Sequence, residues 1–199
     1  AGSASGEGSG GSVHLATRTL SGAGAIRADG GTLNNANHVG GRGGRVAVRF
    51  LDLSTYDPAR ISTRGGDGFY GDGADGTVFL LEEGATNGEL VINGNGASSS
   101  FTDLILPPGQ VFDSITLQNG ARVIAQGEIE VAGTLRLSGN SVLTHPNASE
   151  AGLRIVVSDV LVDAGSAIDV TGRGYPGGGA SGFGDAGQTL GGLAGAQPG

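Results

Sequence analysis

The sequence predicts an all-β protein, specifically a right-handed parallel β-helix with Gly-rich loops inserted between short strands. Three observations lead to this fold class. Short runs of branched apolar residues recur every 25–33 residues, apolar and polar residues alternate within these runs, and Gly accounts for 42 of the 199 residues. The sequence has no sustained apolar stripe with the 3.6-residue period of a helix.

Six runs form the first series of predicted strands. Their first residues are separated by steps of 33, 32, 26, 25 and 26 residues, which is the range of solenoid repeats. Val, Ile and Leu dominate them, as in half-buried strands. These runs cover residues 13–15, 46–48, 78–80, 104–106, 129–131 and 155–157.

A second feature follows the first in several repeats. It is an Ile with a Gly four positions later, at Ile26, Ile61, Ile92 and Ile168. The residues that we predict to point inward, and to stack from one repeat to the next, are Val13, Leu15, Ile26, Val46, Val48, Ile61, Val78, Leu80, Leu104, Leu106, Ile129, Val131, Ile155, Val157 and Ile168.

One such repeat cannot bury its own apolar face, so neighbouring repeats must share a core. We therefore expect a β-solenoid of about six coils over residues 12–172, after a Gly-rich N-terminal segment (1–11) and before a Gly-rich C-terminal loop segment (173–199). An antiparallel β-sandwich is the alternative fold, because its strands also recur at short intervals.

Two glycine tracts interrupt the predicted coils, at residues 30–44 and 65–76. Composition alone is typical of flexible linkers. Their constant place, after the Ile-x-x-x-Gly feature and before the next strand, instead indicates ordered loops stacked on one face. Both interpretations remain open from the sequence.

Composition excludes several kinds of site. Cys is absent, which excludes disulfides, thiolate metal sites and cysteine nucleophiles. Lys is absent too, which excludes a Schiff-base lysine and a Walker-type phosphate loop. The net charge of −8 argues against duplex nucleic acid as a partner. No apolar stretch is long enough to predict a membrane span.

Charge is unevenly distributed along the chain. Residues 14–64 contain seven Arg and three Asp, for a net charge of +4. Residues 65–121 contain eight acidic residues and no Arg, and residues 122–199 have a net charge of −3. If repeats stack in chain order, the first ones are basic and the later ones acidic.

One acidic glycine tract is the candidate cation site. Asp67, Asp72 and Asp75 lie among six glycines in residues 65–76, which partly match the nonapeptide of calcium-binding β-rolls. Tyr70 and Thr77 depart from that pattern, and a β-roll needs consecutive copies. Hard oxygen ligands would suit Ca²⁺, and an acidic solvated loop is the other interpretation. No other cofactor is predicted.

Other candidate sites are few. Phe69 and Tyr70, in the same tract, are the best pair of aromatic residues for stacking against a glycan. Glu128 and Glu130 share one face of a predicted strand, where we interpret them as exposed polar residues and not as a catalytic acid and base. The sequence therefore predicts no catalytic residue.

One segment resembles a known group of proteins. The strings GGSVHL (10–15), TLSGAGAIRADGG (19–31) and GRGGRVAV (41–48) look like the glycine-rich repeats of very large bacterial secreted and cell-surface proteins. The likeness is good over residues 9–50 and fair over 151–180. It implies a β-helical adhesin or exoprotein with an extracellular structural or adhesive role, and it supplies no catalytic residues.

The expected function is therefore a non-enzymatic structural or adhesive module at the cell surface or outside the cell. Its partners would be copies of itself, joined head to tail, or neighbouring repeats, and also cell-surface glycans. A solenoid with uncapped ends exposes unpaired backbone and core, which favours such assembly. The alternative is a carbohydrate-active or glycan-binding β-helix, which a cleft with converging carboxylates or arginines would favour.

Overall fold

The computed structural model describes residues 5–32, 38–53, 55–96 and 100–174, which form strands with almost no helix. A 3₁₀ turn covers Pro58–Arg60. The strands are β1 (Ser5–Gly6), β2 (Ser12–Thr19), β3 (Ile26–Arg27), β4 (His38–Val39), β5 (Arg45–Asp52), β6 (Ile61–Ser62), β7 (Thr77–Glu82), β8 (Glu89–Asn93), β9 (Thr102–Ile105), β10 (Val111–Gln118), β11 (Arg122–Gln126), β12 (Glu128–Leu137), β13 (Val142–Thr144), β14 (Arg154–Val162) and β15 (Ala167–Ile168).

The strands form mostly parallel sheets. One sheet has seven strands in the order β14-β12-β10-β8-β7-β5-β2, and a second has four in the order β15-β13-β11-β9. Two small sheets, β3-β6 and β1-β4, complete the described part of the chain. Ten of the eleven strand pairs among the described residues are parallel, so the antiparallel sandwich is not the fold.

The exceptional pair is β7 with β8, which is antiparallel. The chain turns back through residues 83–88, where Gly84 has a positive φ of 92° and takes a backbone conformation that favours glycine. From β8 onward every strand of the seven-stranded sheet runs opposite to β2, β5 and β7. The prediction that the run at residues 104–106 belongs to the first series of strands is therefore wrong. Leu104 lies in β9 of the second sheet, and β8, with Leu90 and Ile92, takes the position predicted for that run.

The core changes face where the strands change direction. Val78 lies opposite Val91, and both pack into the N-terminal core with Val46. Opposite residues of an antiparallel pair lie on the same face of the sheet, and neighbouring pairs lie on opposite faces. The next pair, Phe79 and Leu90, accordingly packs into the C-terminal core. The two cores therefore occupy opposite faces of one sheet.

The glycine tracts are packed against each other at the N-terminal ends of β2, β5 and β7. We call residues 7–11, 28–31, 40–44, 63–66 and 71–76 the glycine array. Segment 40–44 exchanges backbone hydrogen bonds with all four of the others, whereas a strand in a flat sheet has two neighbours. The described parts of these tracts are thus ordered and hydrogen-bonded to one another.

Close approach explains why this array is made of glycine. Gly41 donates its N–H to the carbonyl of Gly31, at 3.0 Å, while a Cβ on Gly41 would overlap the carbonyl oxygen of Gly8. A Cβ on Gly44 would likewise overlap the carbonyl oxygen of Gly11. Neither Gly41 nor Gly44 has a positive φ, so these positions need glycine for space and not for an unusual backbone conformation.

Most of the predicted core is buried. The buried residues are Val46, Val48, Ile61, Val78, Leu80, Leu104, Leu106, Ile129 and Val131, and the half-buried ones are Val13, Leu15, Ile26, Ile155 and Val157. The prediction is wrong for Ile168, which is 39% exposed. Ile168 belongs to β15, the outermost strand of its sheet, so no further described strand covers it.

Candidate functional site

A groove of about 700 Å³ lies where the core changes face. Its floor comes from the glycine array and from the N-terminal ends of β5 and β7. Its wall comes from β9 and the connection to β10, which belong to the part of the chain that covers the other face. The groove is a direct consequence of the reversal, because only one face of the sheet is covered on each side of it.

The groove carries charges of both signs. Arg42, Arg45, Asp75 and Asp103 all line it. Arg42 Nη1 lies 3.4 Å from Asp103 Oδ2, in an exposed ion pair that joins the array to β9. Arg45 forms no ion pair with another described residue. Two arginines and two carboxylates therefore line one cleft, which is the feature expected of a carbohydrate-active or glycan-binding β-helix.

Asp75 is the buried acid of this region, at 3% exposure. Its Oδ1 accepts a hydrogen bond from the Gly65 N–H at 3.0 Å, while its Oδ2 is buried with no hydrogen-bond partner among the described residues. Burial raises the pKa of Asp75 to about 6, against the lowering effects of the Gly65 N–H and of Arg64. The Asp75 carboxyl group is therefore largely shielded from water at the groove lining.

The three predicted cation ligands have separate local partners. Asp67 Oδ1 accepts from the Asn95 side chain at 3.0 Å, and Asp72 Oδ1 accepts from the Gly68 N–H at 3.2 Å. Asp75 accepts from Gly65, as described above. Over the described ranges, no group of three or more acidic or histidine side chains is arranged to hold a metal ion. Calcium binding by Asp67, Asp72 and Asp75 stays a prediction.

The predicted glycan-stacking pair is on the surface. Phe69 is 70% exposed and Tyr70 is 61% exposed, and their rings meet edge to face at 5.4 Å between centroids. They lie in the connection between two segments of the array and are not among the residues that line the groove. Contact with a glycan at Phe69 and Tyr70 also stays a prediction.

Sequence reasoning missed an arginine-rich surface beside the groove. Val46 and Val48 point into the N-terminal core, so Arg45 and Arg49 project from the opposite face of β5. Ala16 of β2 is opposite Arg49, which places Arg18 two residues further along on the same face. Arg18, Arg45 and Arg49 are exposed, and none forms an ion pair with another described residue. We call these three residues the arginine face.

One acidic residue lies close to the arginine face. Glu83 lines a shallow depression at the ends of β2 and β5 together with Arg18 and Arg49, although it forms no ion pair with either. The signal that could have indicated this surface is the +4 charge of residues 14–64. Strand register was needed to show which of the seven arginines share a face.

The strand carboxylates considered in the sequence are part of the surface. Glu128 pairs with Arg154 on the neighbouring strand at 3.0 Å, which links β12 to β14. Arg136 pairs with Asp163 at 2.7 Å in the same two repeats. Ion pairs this exposed contribute little stability, and they indicate that Glu128 has a surface role.

Comparisons with known proteins found no match. No protein-family model, curated protein or solved structure matches this chain. None of the helical structure in the described part of the chain has the length and apolar character needed to cross a membrane.

Proposed function

We propose that this chain is a non-enzymatic structural module of an extracellular or cell-surface protein, built as a right-handed parallel β-helix that reverses direction once. The observation that carries the proposal is the open outer edge of each of the two outermost strands. β2 and β14 are the edges of the seven-stranded sheet, and neither has a partner on its outer side within the described residues. Extracellular location is supported by the resemblance of residues 9–50 to bacterial surface repeats.

The winding of the chain supports the solenoid. From β8 to β15 the chain alternates between the seven-stranded and the four-stranded sheet, and each strand pairs with the one in the next repeat. The pairing offsets are 25 residues for Ile115 with Leu90, 20 for Ile115 with Leu135, and 25 for Leu135 with Val160. The enclosed core is shared between repeats, as in solenoid proteins.

The geometry of the two halves of the molecule indicates that both wind with the same handedness. Strand direction and core face both invert between β7 and β8, while successive strands from β2 to β14 continue to be added in the same direction along the sheet. A half-turn about the long axis of the sheet produces both inversions together. Each half therefore winds with the same hand, and parallel strand crossovers are right-handed in nearly all proteins.

The open edges support end-to-end assembly. Long unpaired edges are ready templates for pairing with another chain. Core-facing residues at the β14 end are partly exposed, with Val160 at 45% and Val162 at 46%. A second copy would continue both the parallel pairing and the core if its β2 met β14 after a half-turn about the sheet axis. Such a contact is head to tail and does not close, so it builds a filament or a tandem array.

Edge substitution tests the proposal. Asp163 donates its N–H to Leu137 of β12, so the N–H of Val160, three residues before it, points to the free edge. Val160→Pro removes that donor without breaking the existing ladder. We expect the wild-type protein to form concentration-dependent assemblies in sedimentation velocity and negative-stain microscopy, and V160P to remain monomeric.

The control keeps the shape and the donor of the edge. Val160→Thr retains a β-branched side chain and the N–H, and should assemble as the wild type does. A wild-type protein that is monomeric at millimolar concentration, or a V160P variant that assembles equally well, would contradict the proposed assembly.

A further inference from the structure

We propose that the arginine face and the adjoining groove bind an acidic polysaccharide, a chain of sugars with carboxylate or sulfate groups. The starting observation is electrostatic. In a protein with a net charge of −8, the three exposed arginines Arg18, Arg45 and Arg49 lie on one face with no ion pair to any described residue. Guanidinium groups that are not needed for internal pairing are suited to bidentate recognition of oxyanions.

The spacing of these arginines matches an extended ligand. Arg45 and Arg49 are four residues apart on one strand, about 13 Å at strand geometry. Arg18 lies two positions beyond Arg49 on the neighbouring strand, which extends the line to about 20 Å. A single small anion could contact only one of these sites, whereas a polymer with repeated negative charges could contact all three.

The groove continues this line at the end of β5. Arg45 belongs to both the arginine face and the groove lining. Ser12 and Thr77 lie opposite Arg45 on its two neighbouring strands, so a hydroxyl-bearing residue flanks Arg45 on each side. Alternating hydroxyl and guanidinium partners suit the hydroxyl and acidic groups of a uronic acid chain.

The apolar surface beside the charged residues favours an acidic polysaccharide over other polyanions as the ligand. Phe79 and Ile105 line the groove, and Ile105 is 71% exposed. These side chains offer a wall for the apolar face of a sugar ring. Phe79 and Phe112 are the aromatic residues among the described groove lining, and their rings pack edge to face with centroids 6.2 Å apart. A single-stranded nucleic acid would need a series of exposed aromatic platforms for its bases.

Four probes test the proposal with the intact chain. Titration calorimetry would use polygalacturonate, neutral dextran, an oligothymidylate, and vesicles containing phosphatidylserine. We expect polygalacturonate to bind, with an affinity that decreases as salt is added, and dextran to show no binding. The double variant Arg45→Gln/Arg49→Gln should lower the affinity by about tenfold.

A matched double variant removes the same charge elsewhere. Arg27→Gln/Arg154→Gln also removes two exposed arginines, but Arg27 is on β3 and Arg154 is on β14, away from the arginine face. Its affinity should stay within twofold of the wild type, about the precision of such a titration. Equal losses in the two double variants, no binding of polygalacturonate at millimolar sugar, or equally tight binding of the oligothymidylate or the vesicles would overturn the proposal.

This inference goes beyond the proposed structural function, and the two can fail separately. Assembly depends on the outer edges of β2 and β14 and is measured by sedimentation velocity. Polysaccharide binding depends on the arginine face and is read by calorimetry on the monomeric V160P variant as well as on the wild type. A chain that assembles but binds no polygalacturonate would contradict the polysaccharide site alone.

Discussion

Phe79 and Leu90 lie directly opposite each other in β7 and β8, and both side chains pack into the C-terminal core. The residues on either side of Phe79, Val78 and Leu80, instead pack into the N-terminal core. One strand thus contributes to both cores through its two faces. This relationship determines where the groove lies and why the arginine face is open to solvent.

The first prediction concerns the glycine array. Gly44→Ala should destabilise the protein by several kcal/mol, or prevent folding, because the added methyl group would overlap the backbone of Gly11 and nothing flexible can move aside. Gly24→Ala is the control, since no atom lies within 4 Å of a Cβ at that position. Chemical denaturation of the two variants should separate them clearly, and equal midpoints would contradict the close packing of the array.

The second prediction concerns the pH dependence of stability. The folded pKa of Asp75, about 6, is above the ordinary value of 3.8, so the folded state binds the proton more tightly than the unfolded state. Asp75 therefore favours the folded state most at pH below about 4, and this contribution is lost as the pH rises to about 6. The loss is on the order of 2 kcal/mol.

Substitution isolates this contribution of Asp75. Asp75→Asn can still accept the Gly65 N–H and does not ionise, so the decline in unfolding free energy between pH 4 and 6 should shrink. Asp67→Asn removes one charge at an exposed position of the same tract and should leave the decline in place. Urea denaturation at several pH values provides the measurement. An unchanged profile for D75N would show that the buried carboxyl does not titrate in this range.

The third prediction compares two buried threonines. Thr102 Oγ1 donates to the backbone oxygen of Asp75 at 2.7 Å, whereas Thr144 Oγ1 is buried with no hydrogen-bond partner among the described residues. Thr102→Val should cost about 1–3 kcal/mol because the carbonyl loses its donor. Thr144→Val should be neutral or stabilising, because it removes a buried hydroxyl that gains nothing in the folded state. Thermal unfolding of the two variants provides the measurement. A larger loss of stability for Thr144→Val than for Thr102→Val would contradict the hydrogen bonding described for these two threonines.

Local patterning predicted many of the strands. Runs such as Val46–Ala47–Val48 combine β-branched residues with alternating burial, and that period is visible without any tertiary information. Residues at the ends of the stack, such as Ile168, have the same local pattern as Ile129 but a different exposure. Their burial depends on which strand comes next in space, and periodicity within the sequence does not contain that information.

The reversal between β7 and β8 was harder to predict. Asn87 and Gly88 are typical turn residues, but Asn-Gly pairs occur at other turns of this chain as well. Leu90 lies twelve positions after Val78, which is short compared with the repeat of 25 or more, and that spacing was the available signal. The groove and the arginine face depend on this reversal. The sequence therefore showed that this part of the chain is basic, but it did not show which arginines share a surface.

The central claim is that one seven-stranded sheet carries two cores on opposite faces and reverses its strands between β7 and β8. Proton NMR tests this most directly through contacts between α-protons of neighbouring strands. Opposite residues of an antiparallel pair can bring their Cα atoms to about 4.5 Å and their α-protons into close contact, which parallel pairs do not. We predict such a contact at Val78 with Val91 or at Phe79 with Leu90, and none between β5 and β7 or between β8 and β10. Parallel contacts throughout, with β7 paired to a strand running in its own direction, would contradict the account.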